Sequence, residues 1–310
     1  MAMSTFFKLF PPPKFLNAPY AGISISDDAV RCIQFSRGSH GRVVSKHANK
    51  PLPRGIVEGG HIMDEVKLTD FIKEIVKELG ISFVKAALPE EKVYLFKTQV
   101  PVGTSASITQ NIEFKLEENV PMTAAEAVFC FEIIPGTLAD GKNTASVLVA
   151  PRKAVEAYLN VLTNAGLTVL SFEMVAQALE KSLIEKDSTK TTLIVHIMDF
   201  KAGIYIVHQG VVSFSSTVAL GGDMVTDIRR ETAKVYDYWS LHGEGKKEID
   251  TVIMCGNKAL TAGLTEHILP ASVTIETANV WKNVFSGEGY IPPITMEESL
   301  DYAVAAGLAL

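Results

Sequence analysis

Two stretches of this 310-residue sequence follow one pattern, an apolar run that meets an acidic residue and is followed by a second apolar run. One begins near Gly22, bends through Asp27 and Asp28, and returns over residues 29–35. The other begins near Leu193, ends its first run at Asp199, and continues over residues 203–207 and 211–215. Short β-rich runs punctuated by Asp and Gly are strand-turn-strand signals. The two units share negligible identity, so a duplicated α/β architecture is inferred from pattern alone. The length suggests about two domains of ~150 residues each.

The intervening chain supplies further elements. Leu68, Phe71, Ile72, Ile75, Val76 and Leu79 recur at helical spacing over 66–79, and Gly80 closes that helix. Strands are predicted over 85–88 and 93–100, a polar helix over 107–118, strands over 128–134 and 145–150, and a helix over 153–165 ending at Gly166. Strands, helix, strands, helix make an α+β subdomain. In the second half, helices are predicted over 171–184 and 224–239. A strand over 251–255 runs into Gly256-Asn257 and a helix from Lys258, and a last helix covers 297–310. Residues 1–17 read as a short apolar foot ending in Pro11-Pro12-Pro13, which cannot continue a helix, plus a linker.

Charge narrows the function classes. Lys+Arg number 29 against 35 Asp+Glu, a net charge of −6, which provides no broad cationic field for nucleic acid. Cys32, Cys130 and Cys255 lie far apart among apolar neighbours and read as small buried hydrophobes, not a zinc site or disulfide framework. No apolar run reaches the ~18 residues of a spanning helix, so a cytoplasmic protein is expected. The histidines are scattered without an HExxH pair. Glu90-Glu91 and Glu117-Glu118 read as solvated pairs on turns or helix ends. No catalytic constellation emerges.

Several segments resemble a known family in their order and spacing. They are Ala21-Gly-Ile-Ser-Ile-Ser-Asp-Asp-Ala-Val30, Val84-Lys-Ala-Ala-Leu-Pro89, the stretch from Val149-Ala-Pro-Arg to Ala165-Gly-Leu167, Leu220-Gly-Gly-Asp223, Val252-Ile-Met-Cys-Gly-Asn257 and Ala306-Gly-Leu-Ala-Leu310. Together they resemble the type IV pilus assembly protein PilM family of the actin-like ATPase superfamily over roughly residues 18 to 310. The resemblance implies an actin-like, ribonuclease-H-like two-lobed fold with nucleotide, ATP and Mg, in the cleft. It implies a first lobe over 18–83, an inserted subdomain arranged as in FtsA over 84–166, and a second lobe over 167–310 whose C-terminal helix returns to the first. It also implies a place on the cytoplasmic face of the inner membrane, peripheral to it. There the family grips the cytoplasmic tail of PilN and links the pilus platform to its motor side. Self-association is left open.

The resemblance assigns site residues that the sequence then weakens. Gly22, Ser24, Ser26 and Asp27 fall on the first phosphate loop. The acid expected near Ser24 is absent, and Ser26 adds a Cβ where backbone must approach phosphate. Asp27 and Asp28 also suit a plain turn. On the second loop Asp199 remains as the candidate magnesium ligand, or else a loop-capping carboxylate, while Phe200 replaces a glycine. Gly221, Gly222 and Asp223 match the glycine pair at a helix start, or a tight turn with Asp223 as N-cap. Gly256 and Asn257 match the adenosine-side pair with its second glycine lost. Only residues 223–250 separate Gly222 from the next strand, so the subdomain that closes on the purine, subdomain 2B, is largely missing. The expectation is an adaptor with no catalytic residues and weak or lost ATP binding. An active actin-like ATPase and an FtsA-like membrane-tethered anchor are the alternatives.

Overall fold

In the computed structural model, which describes residues 19–38, 41–134, 136–243, 248–257, 273–285 and 290–310, the first apolar runs form β1 (Ala21–Ile25) and β2 (Ala29–Gly38). A third antiparallel strand, β3 (Gly41–Pro51), extends them. A small hairpin, β4 (Val57–Glu58) and β5 (His61–Ile62), leads into α1 (Glu65–Leu79). Asp64 caps α1 by accepting from Lys67 N, Leu68, Ile72 and Ile75 form its buried stripe, and Gly80 at φ 60° ends it. β6 (Phe83–Leu88) then lies parallel to β1.

An insert follows. β7 (Tyr94–Pro101), α2 (Ser105–Asn119), β8 (Ala127–Ile133) and β9 (Lys142–Pro151) make an antiparallel sheet in the order β7-β9-β8, covered by Ile108, Ile112 and Leu116 of α2. α3 (Arg152–Asn164) and β10 (Thr168–Met174) bring the chain back, and β10 pairs parallel with β6. The first sheet is thus β3-β2-β1-β6-β10.

The second half contributes α4 (Val175–Leu183), β11 (Thr191–Ile197), β12 (Lys201–His208), β13 (Val211–Ala219), α5 (Met224–His242), β14 (Thr251–Cys255) and β15 (Thr274–Thr277). Its sheet runs β13-β12-β11-β14-β15. Each lobe therefore has a three-strand antiparallel meander followed by two parallel strands on the far side of its first strand. α5 ends at His242 and β14 starts at Thr251, so no subdomain separates them, as the spacing implied.

The chain closes with α6 (Met296–Ser299), a 3-10 turn (Leu300–Tyr302) and α7 (Ala303–Leu308). All six residues of α7 are buried, between α4 and the face of β1, β2 and β6. Two glycines permit this. A Cβ on Gly307 would lie 1.7 Å from Ala178 O, and one on Gly22 would lie 1.9 Å from Ala305 O.

Several expectations change. The helix expected over 171–184 begins only at Val175, because residues 168–174 find a parallel partner in β6 that outweighs their local periodicity. The helix expected over 297–310 is broken by the 3-10 turn. β3 and β15 went unread. β6 and α3, expected in the insert, belong to the first lobe: Tyr158, Val161 and Leu162 share one core with Leu68, Ile72 and Val84. Cys32 and Cys255 are buried, but Cys130 is exposed on β8. The apolar foot at 1–17 and the helix from Lys258 lie outside the described residues. No helix among those residues is long and apolar enough to cross a membrane.

Candidate functional site

The cleft between the lobes is where the first sheet's β1–β2 turn faces the second sheet's β11–β12 turn. Its contents are mostly protein. Lys201, at the start of β12, reaches across to the Asp27 carboxylate at 3.3 Å and to Glu91, which follows β6. Burial alone would lower the Lys201 ammonium, but Glu91 and Asp27 outweigh it and hold it above its usual value. Asp27 also accepts from Gly59 N at 3.1 Å and Gly60 N at 3.2 Å. At the mouth, the Arg54 guanidinium lies 5.0 Å from the centre of the Phe200 ring, a second link between lobes.

The rest of the first loop is knitted to itself. Ser26 Oγ donates to Asp28 Oδ1 at 2.7 Å and accepts from Arg31 Nη1 at 3.0 Å, while Arg31 Nη2 pairs with Asp28 Oδ2 at 2.7 Å. Burial works against the Asp28 carboxylate, yet Arg31 prevails and keeps it below its usual value. Ser24 faces the cavity that remains, about 50 Å³, with Arg31, His196, Tyr205 and Asp301. Ligand pockets hold ~300–1,000 Å³. Arg31 Nε, His196 Nδ1, Tyr205 OH and Asp301 Oδ1 are buried there without a hydrogen-bond partner among the described residues. That mixture of donors and acceptors suits a few ordered waters.

Asp199 and Asn257, which the resemblance assigns to separate loops, meet in the structure: Asn257 Nδ2 donates to Asp199 Oδ1 at 3.3 Å. Gly256, at φ 94°, allows this, since a Cβ there would lie 2.2 Å from Ile197 O. No group of three or more His, Cys, Asp or Glu able to hold a metal occurs among the described residues. Gly221, Gly222 and Asp223 sit at the N-terminus of α5, outside the lining of the cavity. Asp223 caps the helix through Thr226 N at 3.1 Å, and Asp227 takes the Gly221 N–H at 2.7 Å. Two carboxylates thus take two of the amide donors at this helix start, those of Gly221 and Thr226. Gly22 packs under α7.

Glu90 was misread as solvated. It is buried: Oε1 accepts from Ala176 N in the first turn of α4 at 2.9 Å, and Oε2 from Ser215 Oγ of β13 at 2.9 Å. Burial pushes its carboxyl up to about 7, against the pull of those two donors. Its folded value lies above the usual 4.5, so its stabilising contribution is complete below that value and is lost as pH climbs to about 7. The loss amounts to about 3 kcal/mol. Glu90→Gln removes the titration while its amide oxygen accepts from Ala176 N and its NH2 donates to the Ser215 hydroxyl, which reverses its role. Urea unfolding at pH 5 and pH 8 should show a variant more stable than the parent at pH 8 and flatter across the range; parallel pH profiles would refute the assignment. Leu88-Pro89 before the pair and Val93 after it were the apolar signals of burial. Lys201, next to the Asp199 turn, carried no signal without its partners.

A second cavity, about 270 Å³, is a groove between the insert and the first lobe, lined by Leu88, Val93, Val128, Phe129, Leu148 and Met174 among others. β7 and β8 are the two edge strands of the insert's sheet among the described residues.

Comparison with known proteins gives one family and one fold. The family model for type IV pilus assembly protein PilM matches residues 22–248. A solved PilM-PilN type IV pilus biogenesis complex is similar at TM-score 0.80 and 18% identity, over 94% of this chain and 97% of that one. The cytoplasmic domain of EpsL, an inner membrane component of the type II secretion system of Vibrio cholerae, is similar at TM-score 0.51 and 13% identity, covering 92% and 94%. The ethanolamine utilization protein EutJ from Carboxydothermus hydrogenoformans is similar at 0.53 and 14%, covering 96% and 90%. These likenesses share the actin-like architecture. No curated protein matches this chain in sequence.

Proposed function

The chain belongs to the type IV pilus assembly protein PilM family, and from that membership we propose that it is an adaptor of a pilus assembly platform with weak or lost ATP binding. In this reading it sits peripherally on the cytoplasmic face of the inner membrane and holds the cytoplasmic tail of a PilN-like protein. It thereby joins platform to motor components. The observation that carries the reading is Lys201 spanning the cleft to Asp27 and Glu91. A fixed ammonium there competes with a metal ion for both carboxylates, and the remaining cavity is several times smaller than a nucleotide pocket. Further support comes from the apolar groove, whose size and lining suit a few side chains of an extended peptide.

Two measurements test it. Magnesium with ATP at millimolar concentration should leave the melting temperature unchanged, because a ligand stabilises the native state only in proportion to its occupancy. A synthetic PilN-type tail peptide should bind in calorimetric titration. A shift of several degrees with ATP and no heat with the peptide would reverse the assignment.

A further inference from the structure

The end of the first lobe opposite the cleft carries a charge pattern that the adaptor reading leaves unused. β1 runs from that end toward its turn in the cleft, so Tyr20, the β2–β3 hairpin and the start of β6 all lie there. On the hairpin Arg37 stands directly opposite Arg42, and both are exposed. Like charges so placed weaken a strand pair, and an anion laid over them relieves it. Lys46, on β3, donates to Gly80 O at 2.7 Å, and Lys77 occupies the last turn of α1. Lys85 Nζ sits 4.5 Å from the centre of the Tyr20 ring. The acid of that helix turn, Glu78, is already paired with Lys50 at 2.8 Å. Positive charge thus gathers at one end of a chain whose net charge is −6.

The segment that enters the lobe at this end fits the same kind of partner. Residues 1–18 lie outside the described residues; their sequence holds Phe6, Phe7, Leu9 and Phe10 around Lys8, then Lys14, with no Asp or Glu. Phe10 is separated from Tyr20 by at most ~35 Å of chain. Arg37 lies three residues along β2 from Gln34, the partner of Ala21, or ~10 Å. The aromatic run and the hairpin can therefore rest on one flat surface. An acidic protein patch would engage the arginines and leave the phenylalanines in water. A bilayer with anionic headgroups takes both, because one weak apolar signal joined to a basic patch is enough for stable peripheral binding.

We propose that the first lobe docks directly on an anionic bilayer, with Arg37, Arg42 and Lys77 against lipid phosphates and Phe6, Phe7 and Phe10 in the interface. The cleft then opens away from the lipid, and the contact is separate from any hold on a membrane protein's tail.

The test sediments the full chain, without a partner, on vesicles of phosphatidylcholine alone or with one third phosphatidylglycerol. Binding to the anionic vesicles should be at least tenfold tighter and should fall as salt shortens the reach of the charges. Arg37→Glu with Arg42→Glu should weaken it at least tenfold, as should Phe6→Ser with Phe7→Ser and Phe10→Ser. Melting temperatures at or near that of the parent confirm that both variants are folded. Equal binding to the two vesicle types, no binding to either, or a folded variant that binds as the parent does overturns the proposal. None of these outcomes touches the tail-peptide titration, so the adaptor reading stands or falls by its own measurement.

Discussion

Lys201→Met is expected to lower the unfolding free energy by about 3 kcal/mol, the low end for removing one partner of a buried ion pair. The side chains of Lys201, Asp27 and Glu91 retain 15%, 25% and 21% exposure, so solvent relieves part of the cost. Methionine preserves the apolar stem, which isolates the charge. What remains is two carboxylates of the first lobe that have lost the one ammonium the second lobe sent to them, so this tie across the cleft is gone and the stranded charges repel one another. Urea unfolding followed by tryptophan fluorescence reads the loss. Adding Asp27→Asn to the variant should return a measurable part of it, since it removes one of the stranded charges. A single variant within 0.5 kcal/mol of the parent would mean that the bridge contributes nothing to holding the lobes.

The other large effect is Gly307→Ala. In a solvent-facing helix this change stabilises by about 1 kcal/mol through backbone entropy. Here the new methyl would meet the Ala178 carbonyl oxygen at 1.7 Å, and backbone cannot rotate aside as a side chain does. Overpacking of this kind costs about 3 kcal/mol, so sterics win and the net change is destabilising. Gly22→Ala meets the same helix from the opposite side at 1.9 Å and should behave alike. Gly222→Ala has nothing within 4 Å of its Cβ and should change stability by under about 0.5 kcal/mol. Guanidinium melts of the three variants check the order; a neutral Gly307→Ala would show that α7 has room to slide.

The legible parts of the fold were those whose pattern is local. α1 declared itself through six apolar positions and its closing glycine, and the β1–β2 and β11–β12 units through their acidic turns. β10 was misassigned because only β6, far away in sequence, makes its residues a strand. β3 was missed because its charged residues, Arg42, Lys46 and Lys50 among them, mask the strand pattern. The site divides the same way. The resemblance assigned Asp199, Asn257 and Gly221-Gly222 to loops at the ends of strands or at a helix start, where each lies, but did not pair Asp199 with Asn257. It could not reveal that Asp227 takes the Gly221 amide, that Glu90 is buried by β13 and α4, or that Lys201 reaches the opposite lobe. The last two depend on contacts between segments many tens of residues apart, which no spacing encodes.

The position of α7 bears on how the molecule is made. β1 and β2 emerge from the ribosome well before the helix that covers them, which comes from residues 303–308. Until residues 303–308 are made, the nascent first lobe carries a greasy face that this helix shelters in the finished fold, a long wait during which chaperone binding is favoured. A stalled or prematurely released chain would therefore be conspicuous to cellular quality control even though nearly all of its strands were already present.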